Sequence, residues 1–258
     1  SAVNMLEDYD VKIGGWEEVV LQKMENRNDG GTEINTEFVN KQVIPYFWIN
    51  AWGQEDLAYR LANKGYEVVL CNVTDFYFDL AYDKDPKEPG LYWGGFNNTK
   101  DAFASAPFDL FKTTTTTPSG QLIDIDKTFK DRERLQEKNK KNIIGVQAQL
   151  WSETVIDQTA LHYYLFPRLL AVAERSWRSR PGNWADFAAA LGGRELAYLD
   201  TLKIDYRLPP PGIQITGDQL RGNTAYPGLT IRYNLGGANP TPNCPSLNGS
   251  LDISGYTE

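Results

Sequence analysis

Four short apolar runs, at 11–16, 43–49, 67–72 and 142–150, alternate with helical patterns, and this alternation constrains the fold more than any other feature of the chain. Each run is nearly continuous in apolar residues and bounded by turn residues, the pattern of strands buried on both faces. Residues 54–64 read as a helix: Glu55 and Asp56 at its start, Leu57, Ala58 and Leu61 along one face, and Gly65 where a left-handed C-cap falls. A second pattern, at 160–178, carries a stripe through Leu161, Leu165, Leu169, Val172 and Ala173, and a third spans 184–202. Strands alternating with helices predict an α/β domain on a parallel sheet, here with four βα units.

The connections after Trp16 and after Asp79 are much longer than the usual few residues, which marks them as candidate functional loops. The threonine tract at 113–117, followed by Pro118, Ser119 and Gly120, belongs to a surface excursion. The mixed-sign run at 127–141 predicts a solvated helix face. From about residue 206 the character changes. Pro209, Pro210 and Pro211 make a stiff linker, and 213–215 and 229–235 alternate like strands of an all-β module too short to close a sandwich of about seven strands. The expected division is therefore 1–205 and 206–258.

Seven Trp, fourteen Tyr and eleven Phe in 258 residues can bury a sizeable core. A net charge of −8, with every Lys/Arg cluster interleaved with acids, excludes a nucleic-acid surface. No apolar stretch approaches the roughly 20 residues of a membrane span, so a soluble protein is expected. Cys71, Cys244 and the single His162 supply no metal cluster. A disulfide between the cysteines stays open, a packed thiol at Cys71 being the plainer reading. The N-terminal SAVNMLEDYD lacks the charged and apolar regions of a signal peptide. Glycosylation triplets at Asn72, Asn97 and Asn248 are short enough to arise by chance.

Three motifs put aromatics and acids at the C-terminal ends of predicted strands, where barrel enzymes carry their working side chains. In Gly14-Gly15-Trp16-Glu17-Glu18, the indole can stack on a sugar's C–H face or wall an acetamido methyl, although an isolated tryptophan is more often core. In Phe76-Tyr77-Phe78-Asp79-Leu80, the phenol can donate to an amide carbonyl and the carboxylate can accept from hydroxyls; the plain alternative is a strand end with an exposed Asp. In the run from Val146 to Glu153, Trp151 and Glu153 point to one side of an extended segment, and Glu153 equally suits the start of the next helix.

The segments GWEEV, YFWINAWG, FYFDLAY, LYWGG, GVQAQLWSETV and YYLFPRLLAVAERSW, in this order, resemble glycoside hydrolase family 20 β-N-acetylhexosaminidases, and the bacterial chitobiases most. The likeness runs from about residue 8 to 205, and the remainder resembles the start of the small C-terminal β domain of chitobiases. The resemblance implies the C-terminal half of a TIM (β/α)8 barrel, strands five to eight, followed by part of that domain. It makes Trp16, Trp48 and Trp151 the walls around a terminal N-acetylglucosamine and Tyr77 the donor to its acetamido oxygen. Asp79 and Glu153 would hold hydroxyls, and Trp93 would stack on the leaving sugar. The implied reaction is exo-hydrolysis of chitobiose or chito-oligosaccharides with retention, the substrate's acetamido oxygen acting as nucleophile, without metal or cofactor.

The family's Asp-Glu pair, in a His-x-Gly-Gly-Asp-Glu setting, does not occur in the chain. Glu7-Asp8, Glu17-Glu18 and Glu55-Asp56 stand at the wrong points in the motif order, and the family's upstream arginine and histidine are missing too. The expectation is one part of a longer polypeptide, poorly stable and inactive alone, whose partner is the N-terminal half of the same enzyme. A non-catalytic carbohydrate-binding or scaffold piece is the alternative. Kinship points to a periplasmic or secreted protein.

Overall fold

The computed structural model describes residues 3, 5, 9, 11–23, 32–178 and 182–256. Most of the N-terminal stretch read for an export signal, the Glu7-Asp8 pair included, lies outside the described residues, as do 24–31 of the connection after Trp16. Contacts divide the chain into two compact units, 1–156 with 168–179, and 157–167 with 180–258.

In the first unit the strands are β1 (Ile13–Trp16), β2 (Leu21–Lys23), β3 (Thr32–Ile34), β4 (Val43–Phe47), β5 (Val68–Leu70) and β6 (Ile143–Val146). All four apolar runs form strands of one parallel sheet, in the order β1-β4-β5-β6. The small antiparallel pair β2-β3 sits in the connection after Trp16. The helices are α1 (Leu57–Lys64), α2 (Val73–Phe76), α3 (Thr99–Ala104) and α4 (Ile125–Thr128).

Helix α1 lays Leu57, Ala58, Leu61 and Ala62 into a core with Val43, Phe47, Val68 and Leu70 from the strands and Phe111 and Phe129 from the long connection. Each large side chain buried there contributes about 1.5–3 kcal/mol relative to exposure. Gly65 ends the helix at φ +107°, its N–H reaching the carbonyls of Leu61 and Ala62, as the left-handed cap requires.

The acids before α1 do not cap it. Glu55 and Asp56 pair with Arg132 at 3.2 and 3.6 Å, and Asp56 accepts the N–H of Glu133. This also corrects the reading of 127–141 as one helix face. Only α4, at its start, and a 3₁₀ stretch, Glu137–Asn142, are helical; between them the chain is held to α1 by the Asn63 amide, which donates to the Glu133 carboxylate and the Arg134 carbonyl.

The helix expected over 160–178 is two: α5 (Gln158–Leu165), in the second unit, and α6 (Arg168–Trp177), in the first. The break falls at Pro167, which has no N–H for the ladder and whose ring clashes with the preceding turn. The expected helix over 184–202 forms as α7 (Trp184–Ala190) and α8 (Leu196–Thr201) joined by a π turn, Leu191–Glu195. Asp157 caps α5 and Asn183 caps α7, each side chain accepting an N–H of the first turn.

The second unit also holds an antiparallel sheet of β7 (Gly212–Thr216), β8 (Gln219–Asn223) and β9 (Ser250–Asp252). Residues 229–235 are not a strand. They meet 244–247 through an isolated Arg232–Ser246 bridge and the bonds Tyr233 N–H to Pro245 and Leu247 N–H to Ile231, and Pro245 brings no N–H to a ladder between them. Both cysteines are free thiols, and Cys71 is fully buried. Asn72 and Asn97 are also fully buried, which rules out modification there in the folded chain. Among the described residues no helix is long and apolar enough to cross a membrane.

Candidate functional site

Because the sheet is parallel, the C-terminal ends of its strands share one edge, and every predicted site residue lies at or beyond that edge. Trp16 closes β1, paired with Tyr46. Trp48 follows β4, and its carbonyl accepts the N–H of Val73 at 2.9 Å. Beyond β5, Tyr77 bridges Gln149 in parallel, with Phe78 donating to Gln149 at 2.7 Å and Gln149 to Phe76 at 2.8 Å. This extension sets Trp151 beside Tyr77 and Asp79.

Trp93 arrives through the long connection. Leu91 donates to the Asp79 carbonyl at 2.8 Å, and Ala81 donates to Leu91 at 2.7 Å. Only glycine lets the two segments lie so close: Gly90 sits at φ +128°, and a Cβ there would stand 2.6 Å from the Ala81 nitrogen.

The rings converge. The phenol of Tyr77 has Trp48, Trp93 and Trp151 at centroid distances of 6.2, 5.9 and 6.3 Å, and Trp16 lies 6.0 Å from Trp151. Trp16 and Trp151 come from opposite edges of the sheet, which three gaps of about 4.8 Å would hold some ~14 Å apart if flat. The segments beyond the strands therefore lean together over the sheet edge. Tyr77 is 4% exposed, and burial pushes its hydroxyl well above the usual phenol range, so it stays a neutral O–H donor.

Asp79 is buried, and its Oδ1 has no hydrogen-bond partner among the described residues. Burial raises its carboxyl, the charge of Glu153 adds to this, and the Trp151 N–H and Arg168 oppose it. An oriented acceptor without a donor, beside aromatic walls, suits a hydroxyl-bearing ligand. Glu153 is exposed in a turn; it does not begin the next helix, which Asp157 caps.

Three contributors were not singled out from the sequence. Arg168, fully buried, donates to the carbonyls of Phe78, Leu80 (2.8 Å) and Asn97 (2.9 Å) and stacks 3.8 Å over Tyr82, so it clamps the segment that carries Asp79. Its signal was the arginine directly after a proline inside an apolar stripe. Trp52, in the stretch Ala51-Trp52-Gly53, stacks beside Trp93.

Glu17, buried behind Trp16, accepts the N–H of Trp48 at 3.1 Å and of Ile49 at 3.4 Å and so fixes the backbone carrying Trp48. Burial pushes its carboxyl from 4.5 up to about 7. Between those values the folded state keeps a proton that the unfolded chain has lost, so stability falls as pH rises through the window. Glu17→Gln is expected to flatten that slope and raise the melting temperature near pH ~8, an effect on the order of 1–3 kcal/mol. Thermal melts of the full-length protein across the window check it, and an unchanged slope contradicts it.

This fold and ring cluster accompany a clear kinship: the chain belongs to glycosyl hydrolase family 20, residues 1–180 matching the "Glycosyl hydrolase family 20, catalytic domain" model. Residues 195–250 match the "Chitobiase/beta-hexosaminidase C-terminal domain". The chain is 34% identical over 228 residues to the N,N'-diacetylchitobiase of Vibrio harveyi, covering 78% of this chain and 25% of that protein. It is 31% identical over 219 residues to a beta-hexosaminidase of Vibrio vulnificus, covering 72% and 25%. Among solved structures, a GH20 exo β-N-acetylglucosaminidase from Vibrio harveyi in complex with N-acetylglucosamine superimposes with a TM-score of 0.55 at 26% identity, over 80% of this chain and 26% of that one. The chain thus spans about a quarter of the length of these relatives.

Proposed function

We propose that the protein to which these residues belong is an exo-β-N-acetylhexosaminidase that removes terminal N-acetylglucosamine from chitobiose and chito-oligosaccharides. The observation that carries this reading is the convergence of Trp48, Trp93 and Trp151 on Tyr77, with Trp16 against Trp151 and the partnerless Asp79 oxygen nearby. Trp16, Trp48 and Trp151 wall the sugar and its acetamido group. Tyr77 donates to the acetamido oxygen, Asp79 and Glu153 accept from hydroxyls, and Trp93 takes the leaving sugar.

The acetamido oxygen attacks the anomeric carbon as the glycosidic bond breaks, giving an oxazolinium that water opens with net retention. Tyr77 holds the nucleophile on line. The Asp-Glu pair that steers it and protonates the leaving oxygen comes from outside these 258 residues. In this reading β1, β4, β5 and β6 are strands five to eight of a (β/α)8 barrel, 1–205 being the barrel half and 206–258 part of the appended β domain. The upstream half is the partner; its first four strands cover the two edges open among the described residues. A periplasmic or secreted enzyme fits relatives named for chitobiase activity.

Hydrolysis of an aryl N-acetylglucosaminide tests the reading. Turnover is expected from the full-length protein and none from these 258 residues alone. Activity of the short chain alone would place the acid pair wrongly. No activity in either would leave a sugar-binding scaffold, a role the missing pair also allows.

A further inference from the structure

Beside Trp93 the first unit holds an open cavity of about 680 Å³ whose lining does not include Tyr77. Of the residues read from the sequence as sugar-facing it includes only Trp93; Trp52, Tyr92, Glu55, Ser119 and Gln121 complete much of its lining. Trp93 crosses Trp48 at 71° but lies within 17° of the plane of Trp52, with ring centroids 6.2 Å apart. The aromatic surface thus turns at Trp93, and Trp52 lies nearly parallel beside it. Both rings are open to solvent, Trp52 at 51% and Trp93 at 45%, so their contact is not core packing.

The backbone at Trp52 is unusual. It sits at φ +53°, in the left-handed region that a bulky residue enters only at a cost of about 1–2 kcal/mol. A chain that needed only to turn there would use glycine or asparagine. Instead the turn is braced: Arg132 donates to the Gly53 carbonyl at 2.7 Å and pairs with Glu55 at 3.2 Å, while Glu55 accepts the Gly53 N–H at 2.9 Å. Strain, exposure and bracing together present a fixed indole face to the cavity.

We infer that this cavity is a second leaving-side subsite, with Trp52 as its platform, that binds the sugar beyond the one on Trp93 in a β-1,4-linked N-acetylglucosamine chain. The inference rests on the glycosidase reading above. The stacking face meets the apolar C–H face of the sugar, and the side chains of Gln121 and Ser119 offer hydrogen-bond partners to its amide and hydroxyls. Chain length, which the pocket around Tyr77 does not sense, is read here.

The test compares kcat/KM for chitobiose and chitotetraose in the full-length protein. Wild type is expected to favour the tetramer about tenfold, the worth of one aromatic stack. Trp52→Gly, in which glycine adopts the same backbone without strain, is expected to keep or raise the melting temperature while the preference falls to near parity. Trp52→Phe should retain part of it. A wild type without length preference, or a Trp52→Gly variant that keeps it, overturns the inference while leaving the glycosidase reading intact. No turnover of either sugar overturns both.

Discussion

Tyr77→Phe in the full-length protein is expected to lower kcat by roughly 10²–10³-fold, the usual loss when one preorganised donor to a reacting oxygen is removed, and to leave KM within a few fold. The substitution removes one oxygen and keeps the ring. The ring contacts with Trp48, Trp93 and Trp151 survive, as does the packing against Val73 and Leu80, while the Trp151 side chain loses the phenol oxygen as a hydrogen-bond partner. What is lost is the O–H that burial keeps protonated. In the proposed mechanism the acetamido oxygen is the nucleophile, so that bond matters most as the oxygen approaches the anomeric carbon, and the effect falls on kcat. Steady-state kinetics on an aryl N-acetylglucosaminide, with a melt to confirm the fold, decide it. Equal losses in kcat and in affinity would remove the positioning role and leave Tyr77 a binding residue.

Arg168→Met is expected to have the largest effect on stability. The guanidinium is fully buried and serves the carbonyls of Phe78, Leu80 and Asn97 while lying over Tyr82. Methionine fills much of the volume but donates nothing. Three carbonyls left without this donor, at about 1–3 kcal/mol each, amount to roughly 3–9 kcal/mol against a total of about 5–15. The variant should accumulate poorly or melt far below wild type. Arg168→Lys, with the charge but not the planar fork, should fall between them. Denaturant unfolding of the three proteins measures the series, and a Met variant within about 1 kcal/mol of wild type would show that the carbonyls find other donors.

Much of the fold was legible because it depends on local chemistry. The runs at 43–49 and 67–72 could hardly be anything but buried strands, and Gly65 announced its cap. Three readings failed where the deciding interaction was not local, among them the helix face at 127–141, whose Arg132 pairs instead with Glu55 and Asp56. The apolar stripe of 160–178 continues through Pro167 in periodicity but not in hydrogen bonding, and the halves pack into different units. The alternation of 229–235 matched a strand, yet no neighbouring segment is regular enough to pair with it.

The site divides in the same way. Motif order named Trp16, Trp48, Tyr77, Asp79, Trp93, Trp151 and Glu153, but nothing in the sequence gave Glu17 or Trp52 a role of its own, and Arg168 was marked only by its place after Pro167. A buried glutamate, a strained tryptophan and an arginine clamped on carbonyls are ordinary residues until their neighbours are known.

From its residues alone the chain determined a parallel α/β sheet with aromatics and acids at the strand ends, because side-chain type and spacing dictate burial and period. Tertiary structure alone decided that Trp48, Trp93 and Trp151 meet at about 6 Å around the phenol of Tyr77, that Asp79 is left with a partnerless oxygen, and that Trp52 lies beside Trp93. Such distances are set by pairings between residues distant in the chain, Leu91 with Asp79 twelve positions away or Gln149 with Phe76 seventy-three away, whose geometry no local pattern encodes.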